Sequence, residues 1–306
     1  MDSRKFLYDN NELFQSISLP SQDLPAPALY VVGLPIGNLG DITLRALWVL
    51  SKADCIAAED TRETRKLLEK FNIESHLFPV HQHNEHKGAE KVLTYLAEGK
   101  RVALVTDAGT PAVSDPGEDL VALCAEHDIP VIPVPGCCAA VCALAASGLP
   151  TGRWCFEGFL SVNKKARREH LDALRNEKRT MIFYEAPHKL CATLRDLASA
   201  FGEERRLSLS RELTKLHEQT LRMTLGEAMR YFDENPPRGE FVLIVEGAPD
   251  EPETEASEEE RLAAAAEAVR RRMEQGQTQK DAVKAVSAEV GVKKNALYRY
   301  VLENGE

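Results

Sequence analysis

Apolar and polar stretches alternate regularly over the first half of the chain. Short apolar runs predict β-strands at 28–32, 54–58, 76–80, 101–105 and 129–134. The intervening stretches have the spacing of amphipathic helices, which predicts helices at 41–52, 61–71, 86–99, 117–127 and 137–148. Strands that alternate with helices form parallel sheets covered on both faces. Residues 28–149 are therefore predicted to form a parallel, three-layer α/β domain.

The pattern changes after residue 149. Strand-like runs lie at 154–159, 180–184, 206–210, 217–223 and 241–247, and helical stretches lie at 164–177, 187–200 and 225–233. The links between the last strands are shorter, which favours an α+β arrangement or a mixed sheet. Residues 150–248 are therefore predicted to be a second α/β domain.

The two ends of the chain differ from these regions. Residues 1–27 are polar and contain prolines, which predicts a flexible tail. Residues 249–260 are acidic and predict a linker, since 250–260 hold seven acidic residues and no basic one. Residues 261–306 are predicted to be helical, with nine Lys or Arg against six Asp or Glu. Helices on either side of Gly291 have helix-turn-helix spacing, which is typical of nucleic-acid-reading modules and also of plain helical hairpins.

Composition narrows the class of protein. The 306 residues are 43% hydrophobic and 28% charged, as in an ordinary globular protein. No apolar run is long enough to span a bilayer and the start lacks a signal-peptide pattern, so we expect a cytoplasmic protein without a membrane partner. The net charge of −10 argues against non-specific nucleic-acid binding but leaves room for local basic surfaces. The seven cysteines, including the cluster Cys137, Cys138 and Cys142, are predicted to be reduced core thiols.

Three glycine-containing turns follow predicted strands, at 33–41, 107–117 and 135–140. None has the lysine of a P-loop or the spacing of a dinucleotide fingerprint, so the ligand predicted for the second turn is not a phosphate. Asp41 is predicted to cap the first helix, and Asp115 to cap another that starts at Pro116. A structural turn explains the first stretch equally well. The small residues of the third leave room for a flat ring or serve close packing.

Charged and histidine-rich stretches offer further candidates. FYEAPHKL (183–190) and SRELTK (210–215) place charged groups after strands, and NKKARR (163–168) either meets phosphates or is a solvated helix face. HQHNEH (81–86) allows a metal site, which would make the chain a metal-dependent hydrolase. The lack of an Asp-rich partner motif disfavours that alternative.

The motifs taken together resemble one family. LPIGNLGDITLRAL, AAEDTRETRKLL, DAGTPAVSDPG, PGCCAAVCALAASGLP, FYEAPHKL, RELTK and GEFVLIVEG occur in the order typical of ribosomal RNA small subunit methyltransferase I. That family belongs to the class III methyltransferases, which are similar to tetrapyrrole methylases. The resemblance spans about residues 28–305. It departs from the family pattern at Leu34, Cys137 and Ser161.

The resemblance implies two α/β domains of tetrapyrrole-methylase type with the cofactor cleft between them, plus a small C-terminal helical module. It implies S-adenosylmethionine (SAM) as cofactor, no metal, and a homodimer. The implied reaction is in-line 2′-O-methylation of a decoding-region cytidine in 16S rRNA, within the assembled small ribosomal subunit. The alternatives are a SAM-dependent methylase of a tetrapyrrole or other small molecule, and a non-catalytic RNA-binding protein.

The motifs and the resemblance together suggest candidate site residues. Glu185 or Asp60 is the expected general base. The expected cofactor-binding residues are Pro35, Asp107, Ala108, Gly109, Thr110, Val113, Cys138, Ala139, Ala140, Tyr184, Leu213 and Gly239. The expected RNA-binding residues are Lys164, Lys165, Arg167, Arg168, Lys189, Arg211, Lys293, Lys294 and Arg299.

Overall fold

The computed structural model describes residues 24–81, 85–249, 255–290 and 292–304, apart from the side chains of 85–86 and 255–260. The chain divides into two compact units, the first ending at Ala248 and the second starting at Pro249. Most of the predicted N-terminal tail lies outside the described residues. Among the described helices, none combines the length and apolar character needed to cross a bilayer.

The first sheet contains five parallel strands in the order β3-β2-β4-β1-β5. Their bounds are β1 (Ala28–Val32), β2 (Cys55–Ala58), β3 (Leu77–Pro79), β4 (Arg101–Val105) and β5 (Val131–Val134). The central strands are apolar at nearly every position because helices cover both faces of the sheet. The predicted parallel α/β architecture is confirmed.

Five helices belong to this sheet: α1 (Leu44–Lys52), α2 (Thr61–Lys70), α3 (Glu85–Ala97), α4 (Glu118–Glu126) and α5 (Ala139–Ser147). Two predicted caps are wrong. Thr43 caps α1 by accepting from Ala46 N–H, because Asp41 is taken up in a preceding 3-10 turn. Gly117, with φ of 123°, is the N-cap of α4, so Asp115 lies outside that helix.

The second sheet is mixed, as predicted, with the order β6-β7-β10-β8-β9. Its strands are β6 (Trp154–Phe159), β7 (Thr180–Glu185), β8 (Arg206–Arg211), β9 (Gln219–Thr224) and β10 (Phe241–Val245), and only the β6–β7 pair is parallel. Helices α6 (Lys164–Ala173), α7 (Leu190–Phe201) and α8 (Leu225–Glu234) share one hydrophobic core with this sheet. Helix α5 packs against the other face of this sheet, where its Ala143 and Leu144 share a core with Ile244 of β10. The last helix of the first sheet therefore joins the two sheets.

The second unit contains three helices, α9 (Glu255–Glu274), α10 (Gln279–Val290) and α11 (Lys294–Glu303). They enclose a small core that includes Val269, Val283 and Leu297. Helix α9 begins inside the stretch predicted as a linker. Glu and Ala are strong helix formers, and acidic residues favour the first turn of a helix, which accounts for the helix from Glu255 onward, while 250–254 of the predicted linker lie outside the described residues.

Candidate active site

Three loops meet at the carboxyl edge of the first sheet, after β1, β4 and β5. Leu34 and Gly109 exchange two backbone hydrogen bonds, of 2.8 and 3.2 Å. The Thr110 hydroxyl donates to the carbonyl of Cys137 over 3.0 Å. Gly109 has φ of 77°, a left-handed conformation that favours glycine. The three loops are therefore held together as one rim.

Close backbone packing explains two other glycines of this rim. A Cβ atom on Gly33 would lie 2.7 Å from the Cα of Gly136, which is closer than real Cβ contacts allow. The glycines of the first and third turns thus serve the approach of the loops after β1 and β5. Gly33 of the first turn therefore has a structural role. Ile36, from the same turn, lines a cavity beside the rim.

The cavity lies between this rim and the second sheet and has a volume of about 280 Å³. Seven of the residues expected to bind the cofactor line it: Ala108, Gly109, Thr110, Val113, Cys138, Ala139 and Tyr184. Leu213 lines a smaller adjoining cavity of about 50 Å³, which shares Ile36, Ala139, Glu240 and Val242 with the first.

The other four expected cofactor residues line neither cavity. Pro35 is buried. The carboxylate of Asp107 accepts from the backbone N–H of Asp60 over 3.1 Å, and Ala140 N–H donates to the Tyr184 hydroxyl over 3.0 Å. Gly239 has φ of 80° and lies so close to Glu212 that a Cβ atom would clash with its carboxylate. These residues support the segments around the cavity but do not line it.

The charged residues that line the cavity are all acidic. Asp115, Glu185 and Glu240 line it, and no Lys, Arg or His occurs among the described residues that do so. Burial, together with the neighbouring charges of Glu59 and Asp107, raises the pKa of Asp115 to about 6. The Tyr184 pKa is also raised by burial, to about 12, so its hydroxyl keeps its proton. Such a lining favours a cationic ligand and disfavours a phosphate.

Asp60 is unsuited to the role of general base. Its carboxylate caps α2 by accepting from Arg62 N–H over 2.8 Å and pairs with the Arg62 guanidinium over 2.6 Å. The hydrogen bonds from the Arg62 side chain hold the Asp60 pKa well below its usual range. A carboxylate with so low a proton affinity abstracts protons poorly, so this arrangement disfavours Asp60 as the base.

Glu185 lines the cavity but is 4% exposed and firmly held. One carboxylate oxygen accepts from Ala186 N–H over 2.8 Å, and the other accepts from the Thr193 hydroxyl. Thr193 in turn accepts from Arg167 over 2.8 Å, and Arg167 pairs with Asp196 over 2.5 Å. Glu185 is thus the buried, inner end of a chain of hydrogen bonds that runs from the cavity through Thr193 and Arg167 to the partly exposed Asp196.

Several lining residues were not expected from the sequence: Ile36, Ser114, Asp115, Phe159, Ala186, Glu240 and Val242. Ser114 and Asp115 belong to the same glycine-rich turn as Gly109, so the motif itself held their signal. Glu240 and Val242 reach the cavity because β10 pairs between β7 and β8. That pairing joins distant segments and leaves no local trace in the sequence.

The expected RNA-binding residues fall into separate places. Lys164, Arg167 and Arg168 line a groove of about 670 Å³ between α6 and α7, together with Arg175. The Arg167 side chain, however, is only 14% exposed and already pairs with Asp196 and Thr193. It is therefore poorly placed to contact RNA.

The other expected RNA-binding residues lie outside this groove. Lys165 pairs with Glu169 over 3.8 Å, and Lys189 and Arg211 are partly buried. The Nε of Arg211 has no hydrogen-bond partner among the described residues. Lys293, Lys294 and Arg299 are exposed in the second unit.

The cysteine cluster differs from the prediction that all of its thiols belong to the core. Cys55 and Cys124 are core thiols, but Cys138 lines the cavity and Cys142 is exposed, so the cluster at 137–142 is not part of the core. The reason is that α5 is apolar all round, and one side of it faces solvent. His83 and the side chain of His86 lie outside the described residues. Within the described part of the chain, no group of three or more possible metal ligands comes together.

The chain is similar to known methyltransferases. The family model of the tetrapyrrole (corrin/porphyrin) methylases matches residues 28–229. Solved structures of similar fold include uroporphyrin-III C-methyltransferase from Thermus thermophilus, at 22% identity and a TM-score of 0.52 over 71% of this chain and 93% of that one. Another is cobalt precorrin-4 methyltransferase, at 19% identity and a TM-score of 0.53 over 71% and 94%. At these identities the structures bear on the fold alone.

Curated relatives are much more similar in sequence. The ribosomal RNA small subunit methyltransferase I of Synechocystis is 48% identical over 90% of this chain and 97% of that protein. The protein of the same name from Escherichia coli O157:H7 is 48% identical over 92% and 97%, and that from Bacillus subtilis is 41% identical over 88% and 92%. The chain therefore belongs to the tetrapyrrole methylase family and, within it, to the ribosomal RNA small subunit methyltransferase I proteins.

Proposed function

We propose that the chain uses SAM to methylate the ribose 2′-hydroxyl of a decoding-region cytidine in 16S rRNA. The observation that carries the cofactor assignment is the acidic cavity at the carboxyl edge of the first sheet, which has no basic residue among its described lining. The RNA substrate rests on family membership, since the relatives are named as small-subunit rRNA methyltransferases.

The cavity residues fit SAM in charge and shape. When bound, SAM supplies an activated methyl group on a positively charged sulfur. Asp115, Glu185 and Glu240 complement that charge, although Lys215 partly neutralises Glu240 across 3.3 Å. Gly109 allows close approach to the loop backbone, and the small side chains of Cys138 and Ala139 leave space for a flat purine ring.

Asp115 is the residue we propose as proton acceptor. It lines the cavity, and its raised pKa of about 6 leaves it mostly ionised at neutral pH while keeping a useful proton affinity. A positioned base of this kind contributes about 10²–10⁴-fold to a rate. Glu185 is proposed to fix the cavity wall instead, because hydrogen bonds occupy both of its oxygens.

The groove between α6 and α7 is the surface that we propose for RNA phosphates in the first unit. Lys164 and Arg168 are exposed there, and Arg168 is held only loosely by Asp172 at 3.7 Å. Exposed basic side chains gain binding free energy by releasing counterions from the RNA backbone. The exposed basic residues of α11 are a second proposed contact.

We also propose a homodimer, with the outer side of α5 as the contact. Val141 is 49% exposed there, Cys142 is exposed, and the helix has no charged residue. A two-fold contact brings the same patch of two copies together, and an uncharged apolar patch does so without charge repulsion. Sedimentation of the wild type and of Val141→Glu tests this, because the charged variant should sediment as a monomer.

Calorimetric titration with SAM tests the cofactor assignment. We expect saturable binding by the wild type and none by Ala139→Phe, because the added ring fills the cavity. Ala125→Phe places the same ring on the exposed surface of α4 and should bind SAM normally. Equal binding by both variants would contradict the assignment of this cavity, and no binding by the folded wild type would contradict the cofactor.

A further inference from the structure

Phe159 is an unusually exposed aromatic residue at the edge of the cavity. It is the last residue of β6, it is 58% exposed, and it lines the cavity together with Tyr184. The centroids of the Phe159 and Tyr184 rings are 5.6 Å apart at an interplanar angle of 66°. This edge-to-face contact covers only part of the phenylalanine ring. The exposed remainder is apolar surface directly beside the proposed reaction site.

An irregularity in β6 directs this ring toward the cavity. Phe156 pairs with Ile182 and Gly158 pairs with Phe183, so β6 advances two residues while β7 advances one. In a regular strand, residues 156 and 159 would lie on opposite faces of the sheet. The extra residue brings both rings to the same face, and Phe156 also contacts Tyr184, at 5.1 Å.

Gly158 makes this bulge possible and ties it to the cavity rim. Its φ of 62° is left-handed, and a Cβ atom added to it would lie 3.3 Å from Ser114 Oγ. Bulges of this kind are over-represented beside active sites, where they redirect side chains. The position of the Phe159 ring is therefore set by backbone geometry on both sides of the cavity.

We propose that Phe159 is the platform on which the base of the target nucleotide stacks while its ribose reaches into the cavity. This inference rests on the proposed function and adds a specificity-determining residue to it. A nucleotide that leaves the stack of its neighbours can bring its ribose to the cavity with its base exposed beside the cavity mouth. RNA-binding proteins hold such displaced bases against aromatic side chains. Phe159 and its neighbour Tyr184 offer that surface at the cavity mouth.

Steady-state methylation of small ribosomal subunits by Phe159 variants tests the proposal. Phe159→Ala should lower kcat/KM for subunits by about 5- to 150-fold, which is the range expected for loss of one base–aromatic stack. Phe159→Tyr should stay within about threefold of the wild type, because the ring is kept. Both variants should bind SAM with wild-type affinity, since the ring is assigned to the RNA base and not to the cofactor.

Val162→Ala is the matched control. Val162 is 80% exposed, lies three residues further on and is not among the residues that line the cavity. Its truncation should leave kcat/KM unchanged. Because Phe159 is already exposed, its truncation should leave the unfolding midpoint close to that of the wild type, which a urea titration verifies.

Three results would overturn the proposal. One is an unchanged kcat/KM in Phe159→Ala. The second is a loss of SAM affinity as large as the loss of kcat/KM, which would assign the ring to the adenine of SAM. The third is a halved mass of Phe159→Ala in sedimentation, which would assign the ring to contact with a second copy of the chain. A wild type that binds no SAM and methylates no RNA would overturn the proposed function itself, and the stacking role with it.

Discussion

Replacing Asp115 by Asn should stabilise the first unit while it impairs the reaction. The carboxyl pKa of Asp115 is raised from 3.8 to about 6, first by burial and then by the charges of Glu59 and Asp107. The folded state therefore holds this proton more tightly than the unfolded state. Wild-type stability accordingly falls as the pH rises from about 4 to about 6, and the loss persists above that range. Asn, which is neutral, removes the loss.

The size of the effect follows from the same pKa. At about 1.36 kcal/mol per pKa unit, the step from 3.8 to about 6 corresponds to about 3 kcal/mol. Solvent still reaches the partly buried carboxyl and screens its charge. We therefore expect Asp115→Asn to raise the free energy of unfolding by about 1–2 kcal/mol at pH 7.5, and by almost nothing at about pH 3, which is below the unfolded-state pKa of 3.8.

Urea unfolding followed by tryptophan fluorescence measures this difference. Both tryptophans of the chain, Trp48 and Trp154, belong to the first unit, so the signal reports that unit. Asp119→Asn is the control, because Asp119 is exposed in the first turn of α4 and its charge favours the helix dipole. That substitution should lower stability slightly rather than raise it.

Activity completes the test of Asp115. The wild-type turnover should rise with pH through about 6 and then level off, as Asp115 ionises. Asp115→Asn should lose about 10²–10⁴-fold in turnover and lose this step in its pH profile. A stability difference that persists unchanged at about pH 3 would refute the electrostatic reasoning. Wild-type turnover in the variant would refute the role as proton acceptor.

Three further predictions concern the cavity wall, the rim and the basic groove. Thr193→Val should cost about 1–3 kcal/mol in urea unfolding because a buried carboxylate loses its hydroxyl donor, whereas Thr193→Ser should cost far less. Gly109→Ala and Gly99→Ala should each cost about 1–2 kcal/mol, since φ is 77° and 80°, but only the former should weaken SAM binding in calorimetry. Arg168→Ala should lower, by about one, the magnitude of the slope of log Kd for RNA against log salt concentration. Arg195→Ala, the control, should leave that slope unchanged. Equal slopes for the two variants would contradict the assignment of the groove to RNA.

The sequence predicted the elements of the fold well and the cavity in part. The strands of the first sheet are buried on both faces, so their apolar runs stand out, and β1 and β4 have the predicted bounds. The predicted cap at Asp41 was wrong because Thr43, two residues further on, is the N-cap of α1. The side chains that can cap a helix are visible in the sequence, but backbone dihedral angles decide which of them does so.

The proton-transfer residues show where sequence reasoning stops. Asp60 follows a strand in a charged motif and has the position expected of a base, yet Arg62 two residues later neutralises it. Asp115 has a raised pKa only because folding buries it beside Glu59 and Asp107, which belong to other segments. Phe159 reaches the cavity through a bulge that depends on pairing with β7. Each of these properties arises from contacts between distant parts of the chain.

Transfer of an isotope-labelled methyl group tests the central proposal most directly. Small ribosomal subunits from cells that lack this protein would be incubated with the full chain and SAM labelled in its methyl group. Their 16S rRNA would then be digested to nucleosides and analysed by mass spectrometry. We predict label on the ribose of one cytidine in the decoding region. Label on a base, label at a different nucleotide, or unlabelled RNA in the presence of protein that binds SAM would contradict the proposed reaction.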